Sequence, residues 1–399
     1  MKLVNGGVTA PKGYTANAAW CGIKRKNKDL CLIYSELPAK AAGVFTQNKI
    51  KAAPLVVSKK NLSDDTAQAI FANSGNANCM TGREGLHDAN KIIRKIAEIL
   101  SIPKKDVLIA STGVIGKRLP LPKIMGALEG LVFGLRRDGS RDVAKSLMTT
   151  DTRHKEVAVR FKMGKEAVTI GAVAKGAGMI HPNMATMLAF ITTDADIEKG
   201  ALKRALGESV TSSFNCITVD GDTSTNDTVF ILANGLAKNR PISGNGPDYR
   251  AFQQTLAFVC GYLAEAIIKD AEGATKFVTV GIMGARTPED AKKAGYAVAT
   301  SLLVKTALYG EDPNWGRIAA AIGRSGAHFS ESKLDICLGG INVLSNGRPR
   351  GVEKNVLRGI FRKRDIFISV DLHSGTQSAR ILTNDLSKGY IDINAHYTT

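Results

Sequence analysis

The sequence predicts a mixed α/β protein built in layers, because strand-like and helix-like apolar patterns alternate along the chain. Its 399 residues exceed the length at which one hydrophobic core keeps growing, so we expect two or three packed units. Hydrophobic residues at 44% and charged residues at 23% are ordinary for a globular protein. The 40 glycines are above the usual share and predict many tight turns.

The first half of the chain contains clear strand and helix patterns. Residues 68–72 read as a strand, and residues 85–100 carry apolar side chains at helical spacing. A short strand over 107–110 leads into the turn STGVIG. Residues 156–163 and 167–174 flank a Gly-Lys turn and predict a β-hairpin.

The middle of the chain continues the alternation. The apolar run 187–191 predicts a buried strand, a helix is expected over 197–210, and a further strand over 216–219. Residues 237–249 contain two prolines and two glycines, which predicts an exposed loop.

The alternation of strand-like and helix-like segments starts again near residue 276, which predicts a smaller carboxy-terminal α/β unit. Residues 277–282 read as a strand. The sequence Thr287-Pro288-Glu289-Asp290 then has the cap residue, first-turn proline and first-turn acids of a helix start.

The net charge of +18 is the unusual feature of the composition. A net positive charge of this size can indicate nucleic-acid binding. The Lys and Arg residues are scattered, however, and aromatic residues make up only 6%, so no basic-aromatic stacking surface is evident. We expect a solvated basic face that attracts small carboxylate substrates and no nucleic-acid partner, with a basic nucleic-acid-binding protein as the alternative.

Several classes of protein are disfavoured by missing patterns. No apolar run approaches the ~20 residues of a membrane span, and the amino terminus has no apolar signal region, so we expect a cytoplasmic protein without membrane contact. The six cysteines form no CxxC pair, which argues against zinc or a redox couple. The chain has no P-loop, no GxGxxG after a strand, no HExxH and no GxSxG, and we expect no metal or bound cofactor.

One threonine raises a catalytic hypothesis. Thr186 follows Ala185 and precedes the buried run, within KGAGMIHPNMATMLAFITTDA. Its nitrogen is an amide in the intact chain, but cleavage of the Ala185–Thr186 bond would free an α-amine of pKa about 7.7–8.0 beside the hydroxyl, which suits a general base. Thr186 would then be a nucleophile with its own base. The alternative is an ordinary strand threonine that packs.

Segments spread in order over nearly the whole chain strengthen this hypothesis; they are 6–24, 73–82, 111–116, 175–195, 213–228, 270–277, 309–317 and 393–399. Together they resemble the glutamate N-acetyltransferase family of arginine biosynthesis, also called the ornithine acetyltransferase family. The resemblance implies an αββα sandwich of the amino-terminal-nucleophile-like type with a smaller carboxy-terminal α/β subdomain.

The resemblance also implies autoproteolysis between Ala185 and Thr186. The products would be an α chain, 1–185, and a β chain, 186–399. Residues 186–275 would complete the catalytic layers, and 276–399 would form the carboxy-terminal subdomain. Two α and two β chains are expected to assemble into a heterotetramer.

The activity that the resemblance implies is a double displacement. Thr186 would take acetyl from N-acetylornithine, release ornithine and pass the acetyl group to glutamate. Whether acetyl-CoA also serves as a donor is left open by the sequence. A self-cleaving aminopeptidase or amidase would use Thr186 in the same way and is the alternative enzyme.

The resemblance assigns roles to further residues. Thr112 and Gly113 would form the oxyanion site, and Glu272 would act as an acid/base or bind the substrate amine. The implied substrate-binding residues are Thr152, Lys175, Thr186, Glu272, Asn394 and Thr399. Without the resemblance, these positions read as a strand-to-turn transition, solvated surface charges and a tail in solvent. We interpret His181 as a residue that shapes its turn and Trp315 as a packing anchor.

Overall fold

The computed structural model describes residues 1–181 and 187–396 of the chain. The strands are β1 (Lys2–Val4), β2 (Tyr14–Ala19), β3 (Leu30–Phe45), β4 (Thr66–Asn76), β5 (Val107–Val114), β6 (Lys155–Met163), β7 (Glu166–Lys175), β8 (Leu188–Thr193), β9 (Thr228–Ala233), β10 (Phe277–Ala285), β11 (Asp335–Leu338), β12 (Ile341–Ser345), β13 (Arg348–Pro349), β14 (Asp365–Asp371) and β15 (Gln377–Asn384). The α-helices are α1 (Ala53–Asn61), α2 (Gly82–Leu100), α3 (Leu121–Phe133), α4 (Ser140–Leu147), α5 (Lys199–Thr211), α6 (Pro247–Lys269), α7 (Pro288–Ala299), α8 (Leu302–Tyr309), α9 (Trp315–Gly323), α10 (Lys354–Phe361) and α11 (Lys388–His396).

The long strand β3 joins two halves of the first sheet, whose strand order is β1-β6-β7-β8-β9-β3-β4-β5 with β2 also paired to β3. The amino-terminal part of β3 pairs with β2 and β4, as in Leu32 opposite Phe71. Its carboxy-terminal part pairs with β9, as in Gly43 opposite Phe230. One strand therefore belongs to both halves of the sheet.

Alternating side chains show that the two halves stack face to face. In β8, Phe190 contributes to a buried cluster that also contains Phe230 of β9 and Ile33 and Ile70 of the other half. Ile191, its neighbour in β8, points the opposite way into a cluster with α5 and α6. This is the period-two alternation of a strand that is buried on both faces.

Helices cover the two outer faces of this sandwich. Helices α5 and α6 pack on β6–β9, whereas Ile92 and Ile96 of α2 and Leu128 of α3 pack on β3–β5. Burial of each of these aliphatic side chains contributes about 1.5–3 kcal/mol. The layer order is helix, sheet, sheet, helix, which confirms the predicted αββα fold class.

Helix α6 is, among the described residues, the one helix long and apolar enough by length and composition to cross a membrane. Its apolar face is used within the protein. Phe252, Leu256 and Leu263 are fully buried in the cluster against β6–β9. The composition of α6 is therefore explained by its place in the core.

A second sheet lies in the carboxy-terminal part of the chain, with strand order β13-β12-β11-β14-β10-β15. Strand β10 pairs in parallel with β14 and antiparallel with β15. This sheet and helices α7–α10 form a second hydrophobic core, and the partly buried Trp315 packs against it. The predicted helix start is confirmed, because the Thr287 side chain caps α7 by accepting from the Asp290 N–H at 3.1 Å.

The predicted hairpin is confirmed as β6 and β7, but one local prediction was wrong. The strand expected over 216–219 is absent from this described segment: Phe214–Cys216 is a 3₁₀ helix, and Ile217 makes one isolated bridge to Leu382. The backbone here bonds to β15 of the second sheet, because the Thr218 N–H donates to the Leu382 carbonyl at 3.0 Å.

The loop predicted over 237–249 is present over 237–246, and most of its residues are exposed, although a few are buried. Ile242 is buried, and its N–H donates to the Asp196 carbonyl at 3.0 Å. The buried Asn239 side chain accepts from the Asp196 N–H at 2.9 Å. These contacts hold the segment against the body of the protein, and α6 already begins at Pro247.

Candidate active site

A cavity of about 100 Å³ opens where β5 and β7 end. Residues from distant parts of the sequence line it; they are Thr112, Gly113, Ile115, Thr149, Thr150, Lys175, Gly178, Met179, Ser224, Thr225, Asn226, Glu272 and Asn394. Polar groups at the ends of strands on a rigid layered scaffold are typical of a binding or catalytic site.

Thr112 and Gly113, near the carboxy-terminal end of β5, form one wall of the cavity. Strand β5 runs parallel to β4, and it brings Gly113 against Gly75 and Asn76. A Cβ atom on Gly113 would overlap the backbone of both neighbours, and its φ of +131° is a conformation that side chains other than glycine rarely adopt. Glycine is therefore required here, and its backbone is left open to a close approach.

Lys175 lies at the end of β7 and is almost fully buried. Its Nζ donates to Thr149 Oγ1 at 2.8 Å and to Thr112 Oγ1 at 3.4 Å. Burial lowers the pKa of Lys175, and the nearby Asp151 carboxylate at 3.9 Å opposes this change. The site thus places a cation beside the Thr112 hydroxyl.

A buried ion-pair network lies behind Lys175. Asp151 Oδ1 accepts from Lys155 Nζ at 2.7 Å and from the Gly176 N–H at 2.8 Å. Lys155 Nζ also contacts Asp270 Oδ2 at 2.6 Å. Burial alone would raise the pKa of Asp151, but Lys175, Lys155 and the Gly176 N–H together lower it to about 2. Asp151 is therefore ionised, and its charge raises the pKa of Lys175 against the effect of burial.

Glu272 and the last helix also line the cavity. Glu272 is buried, and its Oε2 accepts from Asn394 Nδ2 of α11 at 2.8 Å. A Cβ atom on Gly178 would overlap the Glu272 carboxylate, so the 176–179 loop lies directly against this side chain. The cavity therefore contains a carboxyl group as well as the Lys175 amine.

The residues before the undescribed segment 182–186 are held by Asp220. Its Oδ2 accepts from the Met179 N–H at 2.6 Å, and its Oδ1 accepts from the Ile180 N–H at 3.0 Å. His181 Nδ1 contacts Thr218 Oγ1 at 3.1 Å, and burial lowers the pKa of the imidazole. His181 is thus anchored on its loop, and its role in shaping the turn stays a prediction.

Met187, which follows residues 182–186, is also held by hydrogen bonds. The Met187 N–H donates to Asp227 Oδ1 at 3.1 Å. The Met187 carbonyl accepts from the Thr228 N–H at 3.2 Å, where β8 and β9 begin to pair. Both flanks of residues 182–186 are therefore fixed by hydrogen bonds.

The structure brings together most of the predicted site residues that it describes: Thr112, Gly113, Lys175, Glu272 and Asn394 line one cavity. Ala185, Thr186 and Thr399 lie outside the described residues.

Thr152 lines a neighbouring cavity instead. Its backbone N–H donates to Asp270 Oδ2 at 3.1 Å, and its hydroxyl donates to Asp270 Oδ1. Thr149 and Thr150, three and two residues earlier in the chain, face the site cavity. The predicted contact between Thr152 and substrate stays a prediction.

Sequence reasoning missed Thr149, Asp151, Asp270 and Asp227. Apart from their position in polar turns, no local pattern marks them, because each owes its place to a partner far along the chain. In residues 1–181 and 187–396, no group of three or more His, Cys, Asp or Glu side chains is arranged to hold a metal ion.

The layers define a protein of the αββα sandwich class, with a polar cavity at the ends of its strands. The ArgJ family pattern matches residues 15–399. The arginine biosynthesis bifunctional protein ArgJ of Caldanaerobacter subterraneus subsp. tengcongensis is 44% identical, with 100% of both chains covered. The glutamate N-acetyltransferase of Methanocaldococcus jannaschii is 45% identical, again with 100% of both chains covered.

A solved structure agrees with these relatives. A crystallised chain of the arginine biosynthesis bifunctional protein ArgJ from Bacillus halodurans is 41% identical and superposes with a TM-score of 0.51. The match covers 52% of this chain and 98% of the crystallised one. The protein belongs to the ArgJ family. It is an acyltransferase of arginine biosynthesis, which confirms the resemblance drawn from the sequence.

Proposed function

We propose that this protein transfers an acetyl group from N-acetylornithine to glutamate through an acetyl ester on Thr186, after the chain cleaves itself between Ala185 and Thr186. The observation that carries the proposal is the single cavity lined by Thr112, Gly113, Lys175 and Glu272. The anchored residues Ile180 and Met187 flank the segment that contains the nucleophile.

Self-cleavage supplies the catalytic base. Thr186 Oγ attacks the Ala185 carbonyl carbon, the C–N bond breaks, and the nitrogen takes up a proton to become an amine. Water then opens the resulting ester, which leaves a carboxylate on Ala185 and restores the Thr186 hydroxyl. The Bacillus halodurans structure supports two chains, because about half of this chain accounts for nearly all of the crystallised one.

The first half of the reaction forms the acetyl ester. The Thr186 amine accepts the Oγ proton while Oγ attacks the acetyl carbonyl carbon of N-acetylornithine. The Thr112 hydroxyl and the Gly113 N–H donate to the developing oxyanion, and each donor contributes about 3 kcal/mol to the transition state. The C–N bond then breaks, and the Thr186 ammonium returns its proton to the departing nitrogen of ornithine.

The second half returns the acetyl group to an amine. The α-amine of glutamate attacks the ester carbonyl carbon, and the bond to Thr186 Oγ breaks. A proton passes from the attacking nitrogen through the Thr186 amine to Oγ, so N-acetylglutamate leaves and the enzyme is restored. The same oxyanion donors serve both halves.

Charges in the cavity match the substrates. Both substrates carry a carboxylate, which the Lys175 ammonium can bind as a point charge. Glu272 offers a carboxylate to the amine of ornithine or glutamate, and its bond from Asn394 at 2.8 Å fixes its orientation. Thr152 and Thr399 would complete the substrate contacts.

A second activity is supported by the word bifunctional in the name of the Caldanaerobacter relative. We propose that acetyl-CoA serves as an alternative donor to the same threonine. We further propose that two α and two β chains form a heterotetramer in the cytoplasm. An assay of glutamate with either N-acetylornithine or acetyl-CoA separates the one-donor enzyme from the two-donor enzyme.

The experiment that tests the proposed function uses Thr186→Ala. Wild-type protein should run as two fragments on a denaturing gel and form N-acetylglutamate from N-acetylornithine and glutamate. The variant should remain one chain and be inactive, because both the nucleophile and its base are lost. A variant that still divides after residue 185, or that still transfers acetyl, would show that Thr186 is not the nucleophile.

A further inference from the structure

A second cavity, of about 540 Å³, adjoins the candidate active site. Thr149 lines both cavities, and its Oγ1 accepts from Lys175 Nζ at 2.8 Å. The active-site cavity measures about 100 Å³ and has room for the reacting group of a substrate rather than for a large donor. Ligand sites commonly measure about 300–1,000 Å³, so the second cavity is large enough to hold the body of such a donor.

Three lysines line the second cavity, which we call the basic cavity; they are Lys24, Lys28 and Lys145. Its two carboxylates already have cations of their own, because Asp142 Oδ2 accepts from Lys28 Nζ at 2.8 Å and Asp151 Oδ1 accepts from Lys155 Nζ at 2.7 Å. Lys145, in α4, is exposed and forms no ion pair with any residue among 1–181 and 187–396. The basic cavity therefore keeps positive charge that its carboxylates do not neutralise.

Lys24 connects this charge to the active site. Its Nζ donates to the backbone carbonyls of Ser146 at 2.9 Å and Met148 at 3.0 Å, and an ammonium has a third N–H to offer a ligand. Burial lowers the pKa of Lys24 to about 8, the Asp29 carboxylate opposes this change, and the charge of Lys175 adds to it. Because Lys24 and Lys175 repel each other, an anion bound beside Lys24 would favour the charged forms of both.

The segment that carries these cations is held in place. Residues 24–28 read Lys-Arg-Lys-Asn-Lys and lie between β2 and β3. The fully buried Asp29 accepts from the Lys24 N–H at 3.0 Å and from the three preceding backbone N–H groups at 2.7–3.1 Å. Arg25 and Lys26 are exposed on the same segment. A ligand thus meets a preorganised set of cations, which lowers the entropy cost of binding.

The number and spread of these cations indicate the class of ligand. A single carboxylate needs one cation, and Lys175 already supplies one in the active-site cavity. Several lysines around a wide cavity instead match a ligand with several phosphate groups, which lysine binds as a point charge. Acetyl-CoA has this chemistry, because its acetyl thioester is joined by a long linker to a nucleotide with three phosphate groups.

We propose that the basic cavity binds the phosphate-bearing part of CoA, so that acetyl-CoA lies past Thr149 with its acetyl group in the active-site cavity and its phosphates against Lys24, Lys28 and Lys145. The inference rests on the proposed function, in which acetyl-CoA is the alternative donor. N-Acetylornithine carries no phosphate and does not need these three lysines. The two donors therefore share the reacting centre but differ in the residues that bind them.

The test compares a double variant, Lys28→Gln plus Lys145→Gln, with a control of equal charge, Lys59→Gln plus Lys60→Gln. Lys59 and Lys60 are exposed and line a different cavity, of about 870 Å³, to which α1 and β3 contribute. Calorimetric titration measures the Kd for CoA and for pantetheine, which lacks the phosphates. The cavity variant should bind CoA about 10-fold more weakly than wild type, because charged contacts to phosphate are lost. The control should match wild type, and pantetheine should bind equally to all three proteins.

Folding of the variants is checked by the thermal unfolding midpoint. Asp142 keeps its bond from Arg136 when Lys28 is replaced, so the double variant should fold normally. Lys145→Glu is a second variant, because this exposed side chain has no ion pair to lose. It should also weaken CoA binding about 10-fold or more, since it places a like charge beside the phosphates.

Equal CoA affinity in wild type and both cavity variants would overturn the inference, and so would a wild-type protein that does not bind CoA. An equal loss in the Lys59 and Lys60 control would assign the effect to net charge and also contradict it. A raised KM for N-acetylornithine with unchanged CoA affinity would assign the cavity to the amino-acid substrate instead.

The proposed function is tested separately from this inference. Acetyl transfer from N-acetylornithine to glutamate should be unchanged in the cavity variants, and its absence in wild type would refute the proposed function. CoA binding is measured without turnover, so it decides the role of the basic cavity whatever the transfer assay gives. A wild-type protein that binds CoA through these lysines but forms no N-acetylglutamate from acetyl-CoA would refute the second donor and keep the binding site.

Discussion

Replacement of Lys175 by methionine tests charge recognition in the cavity most sharply. Methionine keeps the length of the buried side chain but removes the ammonium that lies 2.8 Å from Thr149 Oγ1 and 3.4 Å from Thr112 Oγ1. Asp151 loses its ion pair with Lys175 at 3.9 Å but keeps its bonds from Lys155 Nζ at 2.7 Å and the Gly176 N–H at 2.8 Å, so this carboxylate stays paired. The loss should therefore fall on substrate binding.

The magnitude follows from the charged hydrogen bond to a substrate carboxylate. Such a bond contributes about 1.5–3 kcal/mol. At about 1.4 kcal/mol for each factor of ten, Lys175→Met should lower kcat/KM between about 10-fold and 150-fold.

The assay measures N-acetylglutamate formation over a range of both substrates, together with the thermal unfolding midpoint. Lys155→Met is the contrasting variant, because it removes the cation from both Asp151 and Asp270. Leaving buried carboxylates unpaired should cost stability of about 3–5 kcal/mol. Unchanged kcat/KM in Lys175→Met, with normal folding, would show that the substrate carboxylate is bound elsewhere.

Three further predictions concern the walls of the cavity and the ion-pair network behind it. Gly113→Ala should abolish acetyl transfer and lower the unfolding midpoint, because the new Cβ overlaps Gly75 and Asn76; normal activity in this variant would show that the turn is not part of the site. Glu272→Gln should raise KM for the amine substrates while the gel pattern of the protein stays unchanged, and an unaltered KM would remove Glu272 from amine binding. The low pKa of Asp151, about 2 in the folded protein, means that its contribution to stability is present above the unfolded value of 3.8 and is lost as pH falls toward 2. Acid unfolding curves should show this loss, on the order of 2 kcal/mol, in wild type and not in Asp151→Asn; the same acid sensitivity in both would assign it to other groups.

Much of the fold could be predicted because buried side chains are apolar and recur at the spacing of a strand or a helix. The hairpin of β6 and β7 alternates apolar and polar residues in register with its turn, and the Thr287 cap precedes its proline and acids. The strand predicted over 216–219 was wrong because of a distant contact. The backbone of this segment bonds to Leu382 of β15, a partner that local composition does not reveal.

In the candidate site, too, some residues could be predicted from the sequence and others could not. Resemblance to a family identified Thr112, Gly113, Lys175 and Glu272 at positions where spacing alone favoured ordinary turns and surface charges. The network behind them was not predicted. Lys155 and Asp270, for example, are 115 residues apart in the chain and meet only because β6 and the end of α6 are neighbours in the fold.

The covalent intermediate is the central claim, and one measurement tests it directly. The processed protein is incubated with N-acetylornithine alone, quenched rapidly and analysed by mass spectrometry. A double displacement predicts one added acetyl group on the 186–399 chain and none on the 1–185 chain, with the label disappearing once glutamate is added. No acetylated 186–399 chain, together with product that forms only when both substrates are present, would contradict the role of Thr186 and indicate direct transfer between the two bound substrates.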